Sequence, residues 1–255
     1  MAKVQDKKAA TLLQWGADVN ARDSRSGETP LLVAITYGGE SIGPVLRRRD
    51  LDLRRSNKQG NTALDYAVHS LVPDTVRLIL AEEERRQQTP SDTNALLLRT
   101  ALRGDVGEVE SLMASGADVN CSRPLGLTPL FGETVMYITA SIALLCRRGA
   151  KVDSLYCRGG TMETTALMVA VRFEDVATAR VLLDAGANIN YRNTRGDTIL
   201  LLAVSSQSLS LLHLLTDAKY IGRIDREELA SAVAEAARSG NAEAERLLKA
   251  AYRRR

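Results

Sequence analysis

The 255-residue chain repeats itself at a spacing close to 33 residues, and that period restricts the fold more than any other feature. Gly16-Ala17-Asp18-Val19-Asn20 recurs as Gly116-Ala117-Asp118-Val119-Asn120. Weaker copies stand at Gly149-Ala150-Lys151-Val152-Asp153 and Gly186-Ala187-Asn188-Ile189-Asn190. A second marker runs out of phase with the first: Thr29-Pro30-Leu31, Thr62-Ala63-Leu64, Thr128-Pro129-Leu130, Thr165-Ala166-Leu167 and Thr198-Ile199-Leu200. Thr29 and Thr62 lie 33 apart, as do Thr165 and Thr198, whereas Thr128 to Thr165 is 37. The first marker also steps by 37, from Gly149 to Gly186. An insertion of four residues therefore falls within Ser154–Thr164, where Gly159-Gly160 reads as a loop.

Two helical patterns fit between successive markers. Val176–Leu183, ahead of Gly186, has apolar residues at helical spacing. Each Thr offers a hydroxyl to cap the helix it opens, and Pro one residue later suits a first helical turn. The Gly closing the second helix supplies a left-handed terminus. The unit is helix, turn, helix and an extended tip.

On these markers and this period the chain resembles the ankyrin repeat family from about Ala9 to Leu248. The resemblance implies an all-α solenoid of helix-turn-helix repeats with short hairpin-like tips. Seven to eight units, the first partial, would stack as one body over residues 1–255. It also implies a protein-interaction module with no enzymatic activity and no cofactor.

Several stretches depart from the pattern. Ala9–Gln14 reads as a second helix with no first helix before it, so either the chain belongs to a longer array or Met1–Lys8 acts as a cap. After Leu80 the tip phrase gives way to a polar run, and a hinge at residues 84–92 competes with one continuous stack. Glu133-Thr134 replaces the two small residues the family carries between its helices. A carboxylate there needs a partner or solvent, so a local distortion is expected. The Ala-rich Leu229–Leu248 reads as a C-terminal cap.

Composition removes other classes. Hydrophobic residues at 45 % and charged residues at 25 % are ordinary globular values, and no apolar run is long enough for a membrane helix. No apolar leader opens the chain, and an intracellular location is expected. Three cysteines without a C-x-x-C pair suit neither a disulfide framework nor structural zinc. Two histidines, His69 and His213, assemble no nucleophile–base set, and no phosphate-loop, dinucleotide, zinc-protease or nucleophile-elbow motif is present.

Charge is near balance over the chain at +3, yet it is sorted. The tips hold nine basic residues against five acidic ones, and the variable positions closing the first helices add three arginines. The face that partners of this family use would be basic, with Arg25, Tyr37, Arg55, Lys58, Arg123, Arg158, Arg172, Phe173, Arg192 and Arg195 as its contact residues. Tyr156 and Tyr191 would lie nearby. Arginine forks suit carboxylates and phosphates, so an acidic segment of another protein is the expected partner. Two readings compete: a regulatory or targeting part of a larger protein, and a nucleic-acid-binding surface.

Overall fold

The computed structural model describes residues 11, 15–37, 42–88, 92–158 and 162–254, without the side chains of Arg158 and Met162. The expected partial helix at Ala9–Gln14 and the Gly159-Gly160 loop fall outside these, Thr11 apart. The chain divides into two compact units, Met1–Arg99 and Thr100–Arg255.

The first unit contains α1 (Pro30–Tyr37), α2 (Ile42–Leu46), α3 (Ala63–His69), α4 (Pro73–Arg85) and the start of α5 (Thr93–Arg103). Helix α1 packs on α2 and on α3, and α3 packs on α4. The buried side chains are short and aliphatic, with Leu31, Leu32, Leu64, Ala67, Val76 and Ile79 at its centre. Small residues let paired helices approach closely, which explains how a chain with only 4 % aromatic residues still fills its core.

The second unit continues with α6 (Val106–Ala114), α7 (Pro129–Val135), α8 (Thr139–Arg147), α9 (Ala166–Arg172), α10 (Val176–Asp184), α11 (Ile199–Ser205), α12 (Leu209–Leu215), α13 (Ala218–Ile221), α14 (Arg226–Arg238) and α15 (Ala242–Arg254). An inner row, α7, α9, α11 and α14, stacks side by side against an outer row, α6, α8, α10, α12 and α15. This is the all-α helix-turn-helix repeat architecture that the 33-residue period predicts.

The markers do the local work expected of them. Thr128, Thr165 and Thr198 each accept a bond from the backbone N–H three residues on, at 3.2, 3.2 and 3.4 Å. Thr62 instead sets its N–H and hydroxyl on the Asp65 carboxylate. Asp105 and Asp175 cap the second helices in the same way. Gly16, Gly116, Gly149 and Gly186 all have φ between 86° and 96°, the left-handed end a β-carbon disfavours.

A second left-handed series joins the two helices within each repeat: Leu71, Gly104, Tyr137, Glu174, Gln207 and Gly240, with φ from 54° to 81°. These positions keep the 33- and 37-residue steps of the markers. Four of the six carry a side chain.

The four-residue insertion forms a hairpin of β1 (Tyr156–Arg158) and β2 (Met162–Thr164), with Tyr156 opposite Thr164. Its function is to plant a ring. Tyr156 is buried and stacks on Phe131 of α7, centroids 4.3 Å apart. Tyr156 is therefore core, not the surface ring expected of it. Gly126 makes room for this hairpin, since a β-carbon there would lie 2.2 Å from the Leu155 carbonyl oxygen. Helix α13 is a second, unforeseen departure: a single turn capped by Asp217 stands in place of the tip phrase, with no residue inserted, since Gln207 to Gly240 is still one 33-residue step.

Candidate functional site

The tips are tied to one another through their asparagines. Asn20 donates to the Asp50 carbonyl at 2.6 Å and accepts from the Asp52 N–H at 2.9 Å. Asn120 makes the same pair with Gly149 and Lys151, and Asn190 with Arg223 and Asp225. Asp153 occupies the fourth such position. It accepts from Asn188 N–H at 2.8 Å but has no donor for the opposite carbonyl. The tip asparagine is thus a two-bond clamp between consecutive repeats.

Two half-buried arginines do comparable work where the tip phrase is lost. Arg86 donates to the carbonyls of Leu46, Arg48 and Leu51 at 2.7 to 2.9 Å. Arg223 donates to Leu183 and Ala187. In each case the guanidinium of one repeat satisfies the open carbonyls that end the outer helix before it. The polar run after Leu80 is closed by Glu83 and Arg99, both buried and joined by two bonds of 2.9 Å.

The candidate contact residues distribute unevenly. In the first unit Arg25 is exposed and Tyr37 is 65 % exposed at the end of α1. Arg55 approaches Asp52 at 3.7 Å, and Lys58 spans to the Ser24 carbonyl of the preceding tip at 2.8 Å. Arg22 likewise reaches the Ser56 carbonyl. These bonds bring Arg22, Arg55 and Lys58 together across two adjoining tips and leave their charges at the surface. The acids among them are occupied: Asp23 accepts from Ser26 and from the Arg25 N–H, which holds its carboxyl below the usual range. Glu28 accepts from the Tyr66 hydroxyl at 2.6 Å, and burial together with that carboxylate pushes the phenol up to about 12.

In the second unit Arg172 is exposed at the end of α9, beside a half-buried Phe173. Phe173 meets Tyr137 edge-to-face at 5.5 Å, and Tyr137 is 40 % exposed. The pairing follows from the fold: Tyr137 and Phe173 close adjacent inner helices, α7 and α9. Sequence reasoning singled out Phe173 and missed Tyr137, whose place in the left-handed series was the signal available. Arg195 is exposed, and Arg123 is half-buried in a bridge to Leu127. Arg192 bonds the largely buried carboxylate of Glu228 and the Gly196 carbonyl, so it is a partner inside the fold as well as a tip cation. The Arg158 side chain lies outside the described residues. Tyr191 donates to Glu163 at 3.0 Å, and burial and that acid push its hydroxyl up to about 12.

Glu133 is fully buried in α7. Its Oε1 accepts from the Ser141 hydroxyl at 2.5 Å, and its Oε2 has no partner. Burial pushes this carboxyl up to about 8, and the Ser141 bond only partly opposes the shift. The expected distortion is absent from the backbone, which continues as helix through Val135. The site accommodates the acid by neutralising it.

Among the described residues no cluster of His, Cys, Asp and Glu could hold a metal ion, and no helix is long and apolar enough to cross a membrane. No disulfide joins Cys121, Cys146 and Cys157.

Comparison with known proteins agrees with this geometry. A family profile described as ankyrin repeats, in three copies, matches residues 97–193. Residues 97–193 belong to the ankyrin-repeat family. An ankyrin repeat-containing protein of Treponema pallidum is 41 % identical over 121 residues, covering 47 % of this chain and 39 % of that one. A mitochondrial disaggregase of Bos taurus is 28 % identical over 244 residues, covering 83 % of this chain and 34 % of its own. Rabankyrin-5 of Homo sapiens is 29 % identical over 167 residues, covering 56 % and 14 % respectively. The chain thus spans well under half the length of each. Ankyrin repeats generally mediate protein–protein interaction and are typically non-catalytic modules.

Proposed function

We propose that this chain binds an acidic, extended or helical segment of another protein on a basic concave face. The contacts are Arg25, Tyr37, Arg55 and Lys58 in the first unit and Arg123, Arg158, Arg172, Phe173, Arg192 and Arg195 in the second. One observation carries the reading: exposed Arg172 stands beside the Phe173–Tyr137 pair at the ends of two packed inner helices. A partly exposed aromatic pair flanked by a guanidinium offers an apolar contact and a carboxylate fork together.

The test is selection of random 12-residue peptides on the intact chain. Selected peptides should be rich in Asp and Glu and should bind more weakly as salt rises. Arg172→Glu with Arg195→Glu should weaken them at least about tenfold with the helical circular dichroism unchanged. Arg192 is left alone in this variant because it bonds Glu228. Peptides without acidic enrichment, or affinity unmoved by the double variant, would defeat the proposal. A single-stranded oligonucleotide serves as the rival ligand, and tighter, steeply salt-dependent binding to it would favour the nucleic-acid reading.

A second reading is that these repeats are the regulatory or targeting part of a larger protein. It is favoured by the 14 % to 39 % of each relative's length that the chain covers. In that case the acidic segment belongs to the same polypeptide or its assembly. Sequencing the full reading frame tests it.

A further inference from the structure

We infer that Glu133 is a proton-controlled joint: its neutral carboxyl lets α7 close on α8, and its ionisation admits water between them and loosens the turn that holds Tyr137 against Phe173. The geometry supports each step. The carboxyl is fully buried, with one oxygen on Ser141 of α8 and the other on nothing. A charged carboxylate left with an orphan oxygen in such a place must acquire a donor or water.

Among the described residues, the elements packed on α7 place no hydrogen-bond donor on the Glu133 Oε2. Helix α8 carries Cys146 and Arg147, helix α9 carries Arg172, and the hairpin contributes Tyr156. Arg147 and Arg172 are exposed, Tyr156 stacks on Phe131, and the thiol of Cys146 is a weak donor. Cys146 is half-buried, and burial, with a smaller push from the Glu133 charge, raises its thiol to about 11. It also lines an open groove of about 380 Å³ between α8 and α10, with Ala143, Val181 and Asp184. That groove is the water's way in.

The Glu133 carbonyl meanwhile accepts the N–H groups of Met136 and Ile138, at 3.1 and 3.0 Å. These bonds fold the turn at Tyr137. Movement of Glu133 therefore shifts the residue that presents the Tyr137 ring.

The experiment is alkylation of the intact chain by iodoacetamide from pH 7 to 9.5. Cys146 is read by mass spectrometry against Cys121 and Cys157 in the same molecule, in the wild type and in Glu133→Gln. Opening predicts that Cys146 labelling, relative to the Gln variant, accelerates about tenfold as pH passes from 7 to 9. Charge alone, without opening, predicts the reverse, because an ionised Glu133 raises the thiol's pKa and slows it. Slowing, or identical profiles in the two proteins, overturns the inference. If Glu133→Gln fails to fold, Glu133→Ala replaces it. Carbon-13 NMR of the wild-type glutamate carboxyls gives an independent reading. Glu133 must titrate well above the surface glutamates, and titration among them also overturns the inference.

Discussion

Arg99 and Glu83 face each other through two parallel bonds of 2.9 Å, both side chains removed from solvent, and the polar run between them carries no tip phrase. A buried pair of this kind is costly to break from one side and cheap to replace whole. Arg99→Met should lower stability by about 3 kcal/mol, and Glu83→Leu with Arg99→Met should recover most of the loss. Urea unfolding of the three proteins measures it. In the single variant trypsin should cut after Arg85 or Arg86 early, whereas in the wild type we expect the termini to be cut first. Early internal cutting of the wild type would instead support a hinge at 84–92.

Asp153 supplies half of the clamp that Asn20, Asn120 and Asn190 supply in full. Asp153→Asn adds the missing donor for the carbonyl of the next tip. A gain of about 0.5–1.5 kcal/mol is expected, the usual net worth of one such bond. Asn120→Asp, the reverse change one repeat earlier, should lose a similar amount.

Gln207 sits in the left-handed region at φ 57°, in register with Gly104 and Gly240, which pay no steric penalty there. Gln207→Gly should therefore stabilise the protein by about 0.5–1 kcal/mol, although a glycine in a helix would do the opposite. A lower melting temperature for this variant would mean that the Gln207 side chain has a contact that outweighs its backbone strain.

The glycines differ in what a β-carbon would meet. At Gly126 it would collide with the Leu155 backbone, and φ is 82°. At Gly149 there is open space, and φ is 89°. Gly149→Ala should cost about 1 kcal/mol from conformation alone. Gly126→Ala should cost at least about 2 kcal/mol more, because the hairpin carrying Tyr156 must move.

The repeat was legible because its determinants are local. A Thr caps its own helix and a Gly ends the previous one, so both leave a mark at fixed spacing. The deviations were less so. Tyr156 lies in a stretch read as a surface tip, and only the hairpin pairing turns its ring onto Phe131. Arg192 and Glu228 are 36 residues apart, and nothing in either neighbourhood announces the other. Arg86 and Arg223 lie where charge beside a helix end is ordinary, and their service to distant carbonyls is invisible to a one-dimensional pattern. Glu133 was visible as an anomaly, since an acid stood where a small residue belongs, but its partner Ser141 was not. The charge imbalance behind the proposed contact face was legible, but which of its arginines the fold holds was not, because their partners lie in other repeats.

The clamps also set how the protein bears load. Each tip asparagine grips the backbone of the following repeat at two points, one by donating and one by accepting, so a pull along the stacking direction strains both together. At Asp153 a single bond shares that strain. Among the described residues of the second unit, the seam between the tips at Asp153 and Asn188 therefore carries half a clamp, and the Tyr191–Glu163 bond from the neighbouring hairpin shares the load there.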